Sequence, residues 1–466
     1  MKKFRFLTSL LLSNILILSG CAPKEAADSV ISSSETDSGT GDITPEKPPE
    51  PVYKQVTVKM DTLLSSERSN CDLNFEYNDV LFDTDAKEYN KRLSLLSFAN
   101  SVATAYPENG QKFYTDLEFS DITICQYSGT ITKDTVGHFF AHKKVDDFEI
   151  FAVNFQGFYY GAAWTNNFQI GKTGDHEGFM LRANEVYIEL QDYITSHNDG
   201  SSIKLWINGY SRGGALSNAL AYLIMSDDKI AVTQSNLFVY TFEAPAPLSE
   251  EHAIAYENVH NVINSNDLIT NVPPAKYGLK RCGVDYEIYD ANVSAIVKGF
   301  DQSIDIPAYG VNSGINNDTE FMSYLIGVVF DNAKADDVNA NNRNNYVDNY
   351  QTGLANFVGY IFMLSSNTRS LMLAALTDNT TSIILDSTGA KLRDFIKPYM
   401  VADGIPFTED GLLSDCAVTV KAIMNLFIEI LLSAKINTNF KGDLMRLFYV
   451  HFPEVDYALI LNAHSK

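Results

Sequence analysis

The sequence predicts an α/β fold with a mostly parallel sheet, and two observations carry this prediction. Between about residues 130 and 290, apolar strand-like runs alternate with amphipathic helical runs. A helix must carry the chain back between two parallel strands, so such alternation is typical of a parallel sheet covered by helices. One strand is also joined to the next helix by a glycine-rich turn that holds a serine. The chain has 466 residues, of which 45% are hydrophobic, so it can bury a sizeable core.

The spacing of apolar residues predicts the individual elements. Two strand-like runs flank the Asp146-Asp147 pair and predict a hairpin. The helical runs place apolar residues three and four positions apart, whereas the strand-like runs are short. In chain order the predicted elements are the strand YKQVTVKM, the helix AKEYNKRLSLLSFANSVATAYP, the strands GHFFAHKKV and FEIFAVNFQG, the helix EGFMLRANEVYIELQDYITSH, the strand IKLWING, the helix ALSNALAYLIMS and the strands NLFVYTFEAPAP and VHNVINSND.

The first residues are typical of an export signal. Lys2, Lys3 and Arg5 precede an apolar run at 7–18, which is too short for a comfortable membrane span. The run leads into Leu-Ser-Gly-Cys, which resembles the lipobox of bacterial lipoproteins, where the chain is cut before the cysteine and the thiol is acylated. We therefore expect a lipid anchor on Cys21, and a membrane-anchored lipoprotein of the cell envelope that faces outside the cytoplasm. The alternative is an ordinary secretory signal with a chance cysteine.

The rest of the chain divides into segments of different composition. The segment after the signal is rich in Ser, Thr, Asp, Glu and Pro and cannot bury a core, so it predicts a disordered tether. Apolar helical stretches separated by Asn- and Asp-rich loops predict a helical insertion, which forms either a lid or a second packed core. The predicted segments are a signal peptide at 1–21, the tether at 22–52, the α/β core at 53–290, the insertion at 291–440 and a return to the core at 441–466.

Charge and cysteine content exclude some kinds of partner. The formal net charge is −23, whereas nucleic-acid binding requires clustered Lys and Arg to neutralise phosphates. No CxxC pair or His/Cys cluster occurs along the chain, so the sequence predicts neither a metal site nor a cofactor. If Cys21 carries lipid, the other cysteines are compatible with one or two disulfides and equally with free thiols. These are Cys71, Cys125, Cys282 and Cys416.

The segment Gly209-Tyr210-Ser211-Arg212-Gly213 is a G-x-S-x-G pentapeptide with a predicted strand before it and a predicted helix after it. This strand–turn–helix context is required of the nucleophile elbow in the α/β-hydrolase fold, where small residues allow a strained turn. At the helix N-terminus, unpaired N–H groups and the helix dipole favour developing negative charge. We therefore predict an α/β-hydrolase fold with Ser211 as nucleophile. The alternative is a glycine-rich turn in which the serine merely caps the helix.

A serine nucleophile needs a base, and the base needs a carboxylate that orients it. In α/β-hydrolases these groups follow the serine in the order acid, then histidine. Asp267 directly follows the predicted strand VHNVINS, at the end of a strand where α/β sheets carry active groups. Only His451 and His464 come later, and His464 lies in the C-terminal tail. Elimination favours His451 as the base. A turn-capping aspartate and a surface histidine are the alternatives.

Several blocks of this sequence resemble the fungal-type or class 3 lipases, in particular their bacterial branch. The resemblance covers about residues 140 to 290 and a short patch near 451, but not 290 to 440. The blocks that carry it are FAVNFQGF, AWTNNFQIG, DHEGFMLRANEVYIEL, INGYSRGGALSNALA, YTFEAPAP, NVHNVINSNDLITNVPPAKYGLKRCG and HFPEVDYALIL. The resemblance implies that Ser211, Asp267 and His451 form a catalytic triad.

The resemblance also implies an oxyanion hole made by the backbone amides of Arg212 and Phe158. The family usually carries Thr or Ser at the position of Phe158, whose hydroxyl adds a further hydrogen bond. Removal of one such donor lowers rates by about 100-fold or more. Gln156 replaces the usual Arg, and the side chain of Arg212 is expected to pair with an acidic loop.

The function implied by the resemblance is hydrolysis of acyl esters of lipid-like substrates through an acyl-serine intermediate, as in a lipase or esterase. The expected partners are therefore a lipid or small ester and, through the anchor, a membrane. Two alternatives stay open. One is a surface lipoprotein that binds lipids or another ligand with weak or no turnover, which the departure at Phe158 would explain. The other is a hydrolase that acts on a thioester or amide bond.

Overall fold

The computed structural model describes most of the chain from residue 51 to 304 and its C-terminal helix. The described residues are 51–65, 67–129, 131–264, 267, 269–290, 292–304, 343–355, 359, 364–365, 367–368, 371–372, 390–405 and 450–465. The predicted signal, Cys21, nearly all of the tether, Cys416 and the predicted apolar helices at 321–330 and 417–436 lie outside these residues. The division of the chain into segments therefore stays a prediction.

A seven-stranded sheet forms the centre of the fold. Its strands are β3 (Ser120–Cys125), β4 (His138–Val145), β5 (Phe148–Phe155), β6 (Ser202–Tyr210), β7 (Leu237–Phe242), β9 (Val259–Ile263) and β11 (Val284–Glu287). Their spatial order is β11-β9-β7-β6-β5-β4-β3. The pairs from β5 to β11 are parallel, whereas β3 and β4 join one edge in antiparallel orientation. Two small antiparallel sheets pair β1 (Lys54–Asp61) with β2 (Asn70–Tyr77), and β8 (Leu248–Ser249) with β10 (Leu279–Lys280).

Helices cover both faces of the central sheet. The helices are α1 (Lys91–Ala103), α2 (Pro107–Asp116), α3 (Glu177–His197), α4 (Arg212–Ser226), α5 (Val293–Phe300), α6 (Ala390–Ala402) and α7 (Pro453–Ser465), with one turn at Arg343–Tyr346 that continues as a π-turn at Val347–Gln351. Short 3₁₀ segments lie at Asp79–Phe82, Gly161–Phe168, Ile269–Asn271 and Ala275–Tyr277. One apolar core lies under α1, α7 and the β1–β2 sheet, and the other lies under α3 and α4.

This architecture confirms the predicted α/β-hydrolase fold class. Alternate residues of the central strands enter opposite cores, as Trp206 enters one core while Leu205 and Ile207 enter the other. Burial of both faces explains the continuous apolar runs of these strands in the sequence. The helical insertion is described only in part, as α5, the turn at 343–351 and α6. Its role as a lid stays a prediction.

The local predictions differ from the structure at a few places. The single helix predicted between Ala86 and Pro107 is shorter, because Asn90 caps its start through bonds to the amides of Arg92 and Leu93. Pro107 then opens a second helix, since proline fits the first turn of a helix but not its interior. The strands β2, β3, β8, β10 and β11 were not expected from the sequence. Cys71, Cys125 and Cys282 are free thiols.

No helix within the described part of the chain is both long and apolar enough to cross a membrane.

The last described helix, α7, returns to the core that lies under α1. Leu459 and Ile460 of α7 are fully buried in it. In the first turn of α7, the buried Glu454 accepts a hydrogen bond of 2.6 Å from the amide of Leu64, which ties α7 to the segment after β1. Burial raises the pKa of Glu454 from its usual 4.5 to about 7.

We predict that Glu454 makes the stability of the fold depend on pH. Below pH 4.5 its carboxyl is protonated in both folded and unfolded chains. As the pH rises towards 7, the unfolded chain ionises first, so the free energy of unfolding falls. Glu454→Gln should remove this part of the fall, on the order of 3 kcal/mol at full ionisation. Urea denaturation from pH 4 to 8 measures it.

The exposed Glu257 provides a matched control. Glu257→Gln should give a stability curve parallel to that of the unsubstituted chain. A Glu454→Gln curve that is also parallel would contradict the prediction.

Candidate active site

Ser211 occupies a strained turn between β6 and α4. Its backbone has φ 53° and ψ −122°, a conformation that residues other than glycine rarely adopt. The amide of Ser211 donates to the carbonyl of Phe242 on the neighbouring strand at 2.7 Å, which holds the turn against the sheet. A Cβ on Gly209 would lie 2.3 Å from the carbonyl carbon of Gly213. Close backbone approach therefore explains why glycine flanks the serine.

The structure brings together the three side chains of the predicted triad. The Nε2 atom of His451 lies 2.8 Å from Oγ of Ser211. On the other side of the ring, Nδ1 of His451 lies 2.5 Å from Oδ2 of Asp267. The aspartate is fully buried, and 11% of the histidine side chain is exposed. Because the carboxylate of Asp267 accepts a hydrogen bond from Nδ1–H, Nε2 is free to accept the proton of the serine hydroxyl.

Local hydrogen bonds orient Asp267 after strand β9. Its Oδ1 atom accepts the amide of Ile269 at 2.9 Å, so Oδ2 is the oxygen that faces His451. Its own amide donates to the carbonyl of Asn264 at 2.8 Å, and its carbonyl accepts the hydroxyl of Thr270 at 2.8 Å. The carboxylate is thus held by its own turn as well as by the histidine.

His451 lies directly before helix α7. The hydroxyl of Tyr210, which precedes the serine on β6, donates to the carbonyl of His451 at 2.9 Å. This bond fixes the backbone of the histidine relative to the elbow. His464, the second histidine that the sequence left available, lies elsewhere, with Nε2 at 3.0 Å from the hydroxyl of Tyr89.

Three buried polar residues next to the triad were missed by the sequence reasoning. These are Glu243, Tyr210 and Asp456. The hydroxyl of Tyr210 also lies within hydrogen-bond distance of a carboxyl oxygen of Asp456, so its single hydrogen is shared between this oxygen and the carbonyl of His451. Glu243 directly follows strand β7, and that position, at the carboxyl end of a parallel strand, is the signal that could have identified it. No comparable signal marked Asp456, since its register on α7 decides whether it faces the site.

The turn at 156–158 packs against the elbow. A Cβ on Gly157 would lie 2.2 Å from the carbonyl oxygen of Tyr210, so only glycine permits this contact. The ring of Phe158 stacks on Tyr210 with 4.7 Å between centroids. Within the described residues, no group accepts a hydrogen bond from the backbone amide of Phe158 or of Arg212. Both amides are therefore available to a ligand, and their joint role as an oxyanion hole stays a prediction.

Among the residues that the structure describes, the side chain of Arg212 has no acidic partner of the kind expected from the sequence. Its guanidinium lies over the ring of Tyr160, 4.8 Å from the centroid, and donates to the carbonyl of Thr135 at 3.2 Å. Burial lowers the pKa of Arg212 to about 10. The aromatic face of Tyr160, after β5, and the carbonyl of Thr135, before β4, take the place of the acidic partner.

One cluster of possible metal ligands occurs among the described residues. Atoms of Cys125, His138 and Glu189 that could bind an ion lie within 4.8 Å of one another. The first two residues face each other on β3 and β4, so strand pairing, which sequence spacing does not reveal, brings them together. Although burial disfavours the charged ring, contacts with Cys125 and Glu189 raise the pKa of His138 to about 9. An imidazolium–carboxylate pair, with 3.0 Å between Nε2 and Oε2, thus accounts for the cluster.

Comparison with known proteins relates the central part of the chain to lipases. Residues 144–277 match the family model of lipase (class 3). A lipase from Rhizomucor miehei is 28% identical over 126 residues, which cover 26% of this chain and 34% of that protein. The match thus spans about a third of the length of this relative.

Solved lipase structures align with less than half of the chain. The native propeptide complex of Rhizomucor miehei lipase has a TM-score of 0.32 at 18% identity, covering 44% of this chain and 71% of the other. Lipase II from Rhizopus niveus has a TM-score of 0.32 at 18% identity, covering 44% and 83%. A fungal lipase–inhibitor complex has a TM-score of 0.34 at 19% identity, with the same coverage as the Rhizopus enzyme.

We predict that the backbone at Ser211 stores strain that a glycine would release. A residue other than glycine at this φ and ψ costs about 1–3 kcal/mol, of which the greater freedom of glycine in the unfolded chain offsets part. Ser211→Gly should therefore be more stable than Ser211→Ala by about 1 kcal/mol. Both variants lack the hydroxyl, so the comparison isolates the backbone. Urea denaturation of the two variants tests it, and equal midpoints would show that the turn is relaxed.

Proposed function

We propose that the protein is a serine hydrolase that cleaves acyl esters of lipid-like substrates through an acyl-serine intermediate. The observation that carries this proposal is the hydrogen-bonded series from Ser211 through His451 to Asp267. A hydroxyl, an imidazole and a buried carboxylate in this order are what nucleophilic acyl transfer requires. The match of residues 144–277 to class 3 lipases supports the same reaction.

The proposed reaction has two halves. Oγ of Ser211 attacks the ester carbonyl while Nε2 of His451 takes the hydroxyl proton, and Asp267 stabilises the imidazolium that forms. The tetrahedral intermediate collapses when the imidazolium returns its proton to the alcohol, which leaves an acyl-serine. Water then attacks the acyl-serine with His451 as base again, and the carboxylic acid leaves. The serine hydroxyl is thereby restored.

The negative charge of the tetrahedral intermediate would be stabilised by two backbone amides. Arg212 supplies one at the start of α4, where the helix dipole also favours an anion. Phe158 supplies the other from the turn that contacts the elbow. Because Phe158 has no hydroxyl, the hole has one donor fewer than a turn with Thr or Ser, and turnover should be slower by roughly 100-fold.

A small cleft adjoins the turn that would bind the oxyanion. Its lining is mostly aromatic and aliphatic but also includes Lys59 and Asp61; the apolar residues include Val102, Ala105, Tyr106, Phe158 and Tyr159. The apolar part of this wall suits the hydrocarbon of an acyl group. The apolar composition of the helical insertion at 291–440 predicts either a lid, which would enclose an acyl-chain pocket, or a second packed core.

A second candidate is a lipid-binding lipoprotein with little or no turnover. The feature that favours it is Phe158, which lacks the side-chain donor described above. It differs from the first candidate in whether Ser211 reacts.

We also propose that the chain is anchored through a lipid on Cys21 to a membrane of the cell envelope. The basic residues, the short apolar run and the Leu-Ser-Gly-Cys sequence support this assignment. The acidic tether at 22–52 would hold the hydrolase away from the surface.

We predict that a fluorophosphonate probe labels Ser211 and that Ser211→Ala abolishes labelling. Asp267→Asn and His451→Ala should lower kcat/KM for a p-nitrophenyl ester by about 10³–10⁴-fold, because the base is then lost or misoriented. His464→Ala is the matched control and should retain activity, because the ring of His464 bonds to the hydroxyl of Tyr89 and takes no part in the proposed triad.

The outcomes separate the candidates. If folded protein is neither labelled nor able to hydrolyse esters, the binding protein is favoured. A panel of p-nitrophenyl esters, glycerides, phospholipids, thioesters and amides then identifies the bond that an active enzyme cleaves.

We predict that radiolabelled palmitate is incorporated into the chain during expression in a bacterial host that processes lipoproteins. Cys21→Ser should abolish incorporation and move the protein from the membrane fraction to the soluble fraction, because the thiol is the acylated group. Cys71→Ser is the control and should change neither. Incorporation that survives Cys21→Ser would contradict the assignment of the anchor.

A further inference from the structure

Three buried carboxyl groups meet behind the imidazole of His451. Glu243 is 1% exposed, and Asp267 and Asp456 are fully buried. The carboxyl of Glu243 faces those of Asp267 and Asp456. It also accepts the amide of Asn264, at 2.9 and 3.1 Å to its two oxygens. Glu243 is thus the carboxyl that bridges the other two.

The neighbours of this cluster supply little positive charge. The ionisable groups that face Glu243 and Asp456 are Asp267, Glu454, Tyr210 and, across Asp267, the ring of His451. No Lys or Arg among the described residues bonds to these carboxyls. Neighbouring carboxyls in a buried site cannot all ionise, because their negative charges would repel one another. Burial and the neighbouring carboxylates raise the pKa of Glu243 and of Asp456 well above the usual range.

The hydrogen-bond donors around the three carboxyls indicate which of them carry a proton. Asp267 accepts from Ile269 and faces Nδ1 of His451, so it is the carboxylate. Asp456 accepts from Tyr210 at one oxygen, and its other oxygen meets no N–H or hydroxyl donor among the described residues. Two carboxyls form a hydrogen bond only when one of them is protonated. A protonated Glu243 donates its single O–H to Asp267, and its other oxygen accepts from Asp456, which burial keeps protonated as well.

The backbone of Glu243 adopts a strained conformation, which indicates that its side chain has a role at this position. Its φ is 47°, in the left-handed region where glycine is the usual residue. A residue with a Cβ is strained there, whereas glycine is not. The amide of Glu243 donates to the carbonyl of Val262 at 3.0 Å, so the conformation is fixed by the sheet. A glycine would fit with less strain but would leave Asp267 without this contact.

We propose that Glu243 is a positioning residue that acts as a neutral acid on Asp267, with Asp456 as its second partner. Its hydrogen bond fixes the carboxylate of Asp267 and leaves that group as the anion that faces His451. This role rests on the proposed function of Ser211, His451 and Asp267.

Two substitutions test the role by ester hydrolysis. Glu243→Gln keeps the size and an N–H donor and resembles the neutral acid. It should keep kcat within about 3-fold and leave the acid limb of the kcat/KM profile in place. Glu243→Gly removes the donor and relieves the backbone, so the fold should be retained while kcat falls about 10- to 100-fold with KM little changed.

Glu118 provides matched controls, because it also has a positive φ of 65° and is exposed, far along the chain from the site. Glu118→Gln and Glu118→Gly should both keep the activity of the unsubstituted protein. Thermal unfolding of all four variants shows whether a lost activity reflects lost folding.

Two outcomes would overturn the proposal. If Glu243 were ionised, its replacement by Gln would remove a negative charge near His451, and the acid limb would move to lower pH by about one unit. If Glu243→Gly folded and kept full kcat, Glu243 would not position Asp267.

A spectroscopic measurement separates this proposal from the proposed function. The infrared spectrum at pH 7 should contain protonated-carboxyl absorption, to which Asp456 and Glu454 also contribute. Glu243→Gln should remove one component of it, whether or not the protein hydrolyses esters. If this component is lost but Ser211 is unreactive, the proposed function fails while the neutral Glu243 stands. If Ser211 reacts and Glu243→Gln leaves the absorption unchanged, the neutral acid is wrong.

Discussion

The hydrogen bond between His451 and Asp267 is the interaction on which the site depends. It joins a turn after β9 to the start of α7, across 184 residues of chain. Asp267 is oriented by its own turn, whereas His451 depends on α7 and on the bond from Tyr210 to its carbonyl. The imidazole reaches the serine only because α7 packs against the same core as β6. The far end of the chain therefore has to fold before the site is complete.

Two neighbouring strands leave the sheet in the same unusual way. Strand β6 ends in Ser211 and strand β7 ends in Glu243, and both residues have positive φ. The amide of Ser211 donates to the last residue of β7, and the amide of Glu243 donates to Val262 on β9. Each strained residue is thus held by the next parallel strand. The strained turn after β6 directs the hydroxyl of Ser211 to one side of the imidazole of His451. The strained turn after β7 directs the carboxyl of Glu243 towards Asp267, on the other side of that ring.

The parts of this site that are local in sequence could be predicted, and those that depend on distant contacts could not. The elbow could be recognised because a strand, two glycines, a serine and a helix are consecutive. Asp267 and His451 could be ranked by chain order and elimination. The carboxyl cluster could not, because Asp456 meets Tyr210 from a position 246 residues away. Strand β3 was missed as well, since its residues are mostly half-buried or exposed and carry little apolar pattern.

The placement of acids at the start of α7 explains how the fold tolerates them. Glu454 and Asp456 lie in the first turn, where the helix dipole favours negative charge, yet both side chains are buried. One accepts the amide of Leu64, and the other accepts the hydroxyl of Tyr210. Both are therefore paired with donors rather than with cations. A cation here would compete with the imidazolium for the negative charge of Asp267 and would disfavour the imidazolium that the proposed acyl transfer produces. Protons and neutral donors satisfy the buried acids and leave His451 as the group whose charge would change during the proposed reaction.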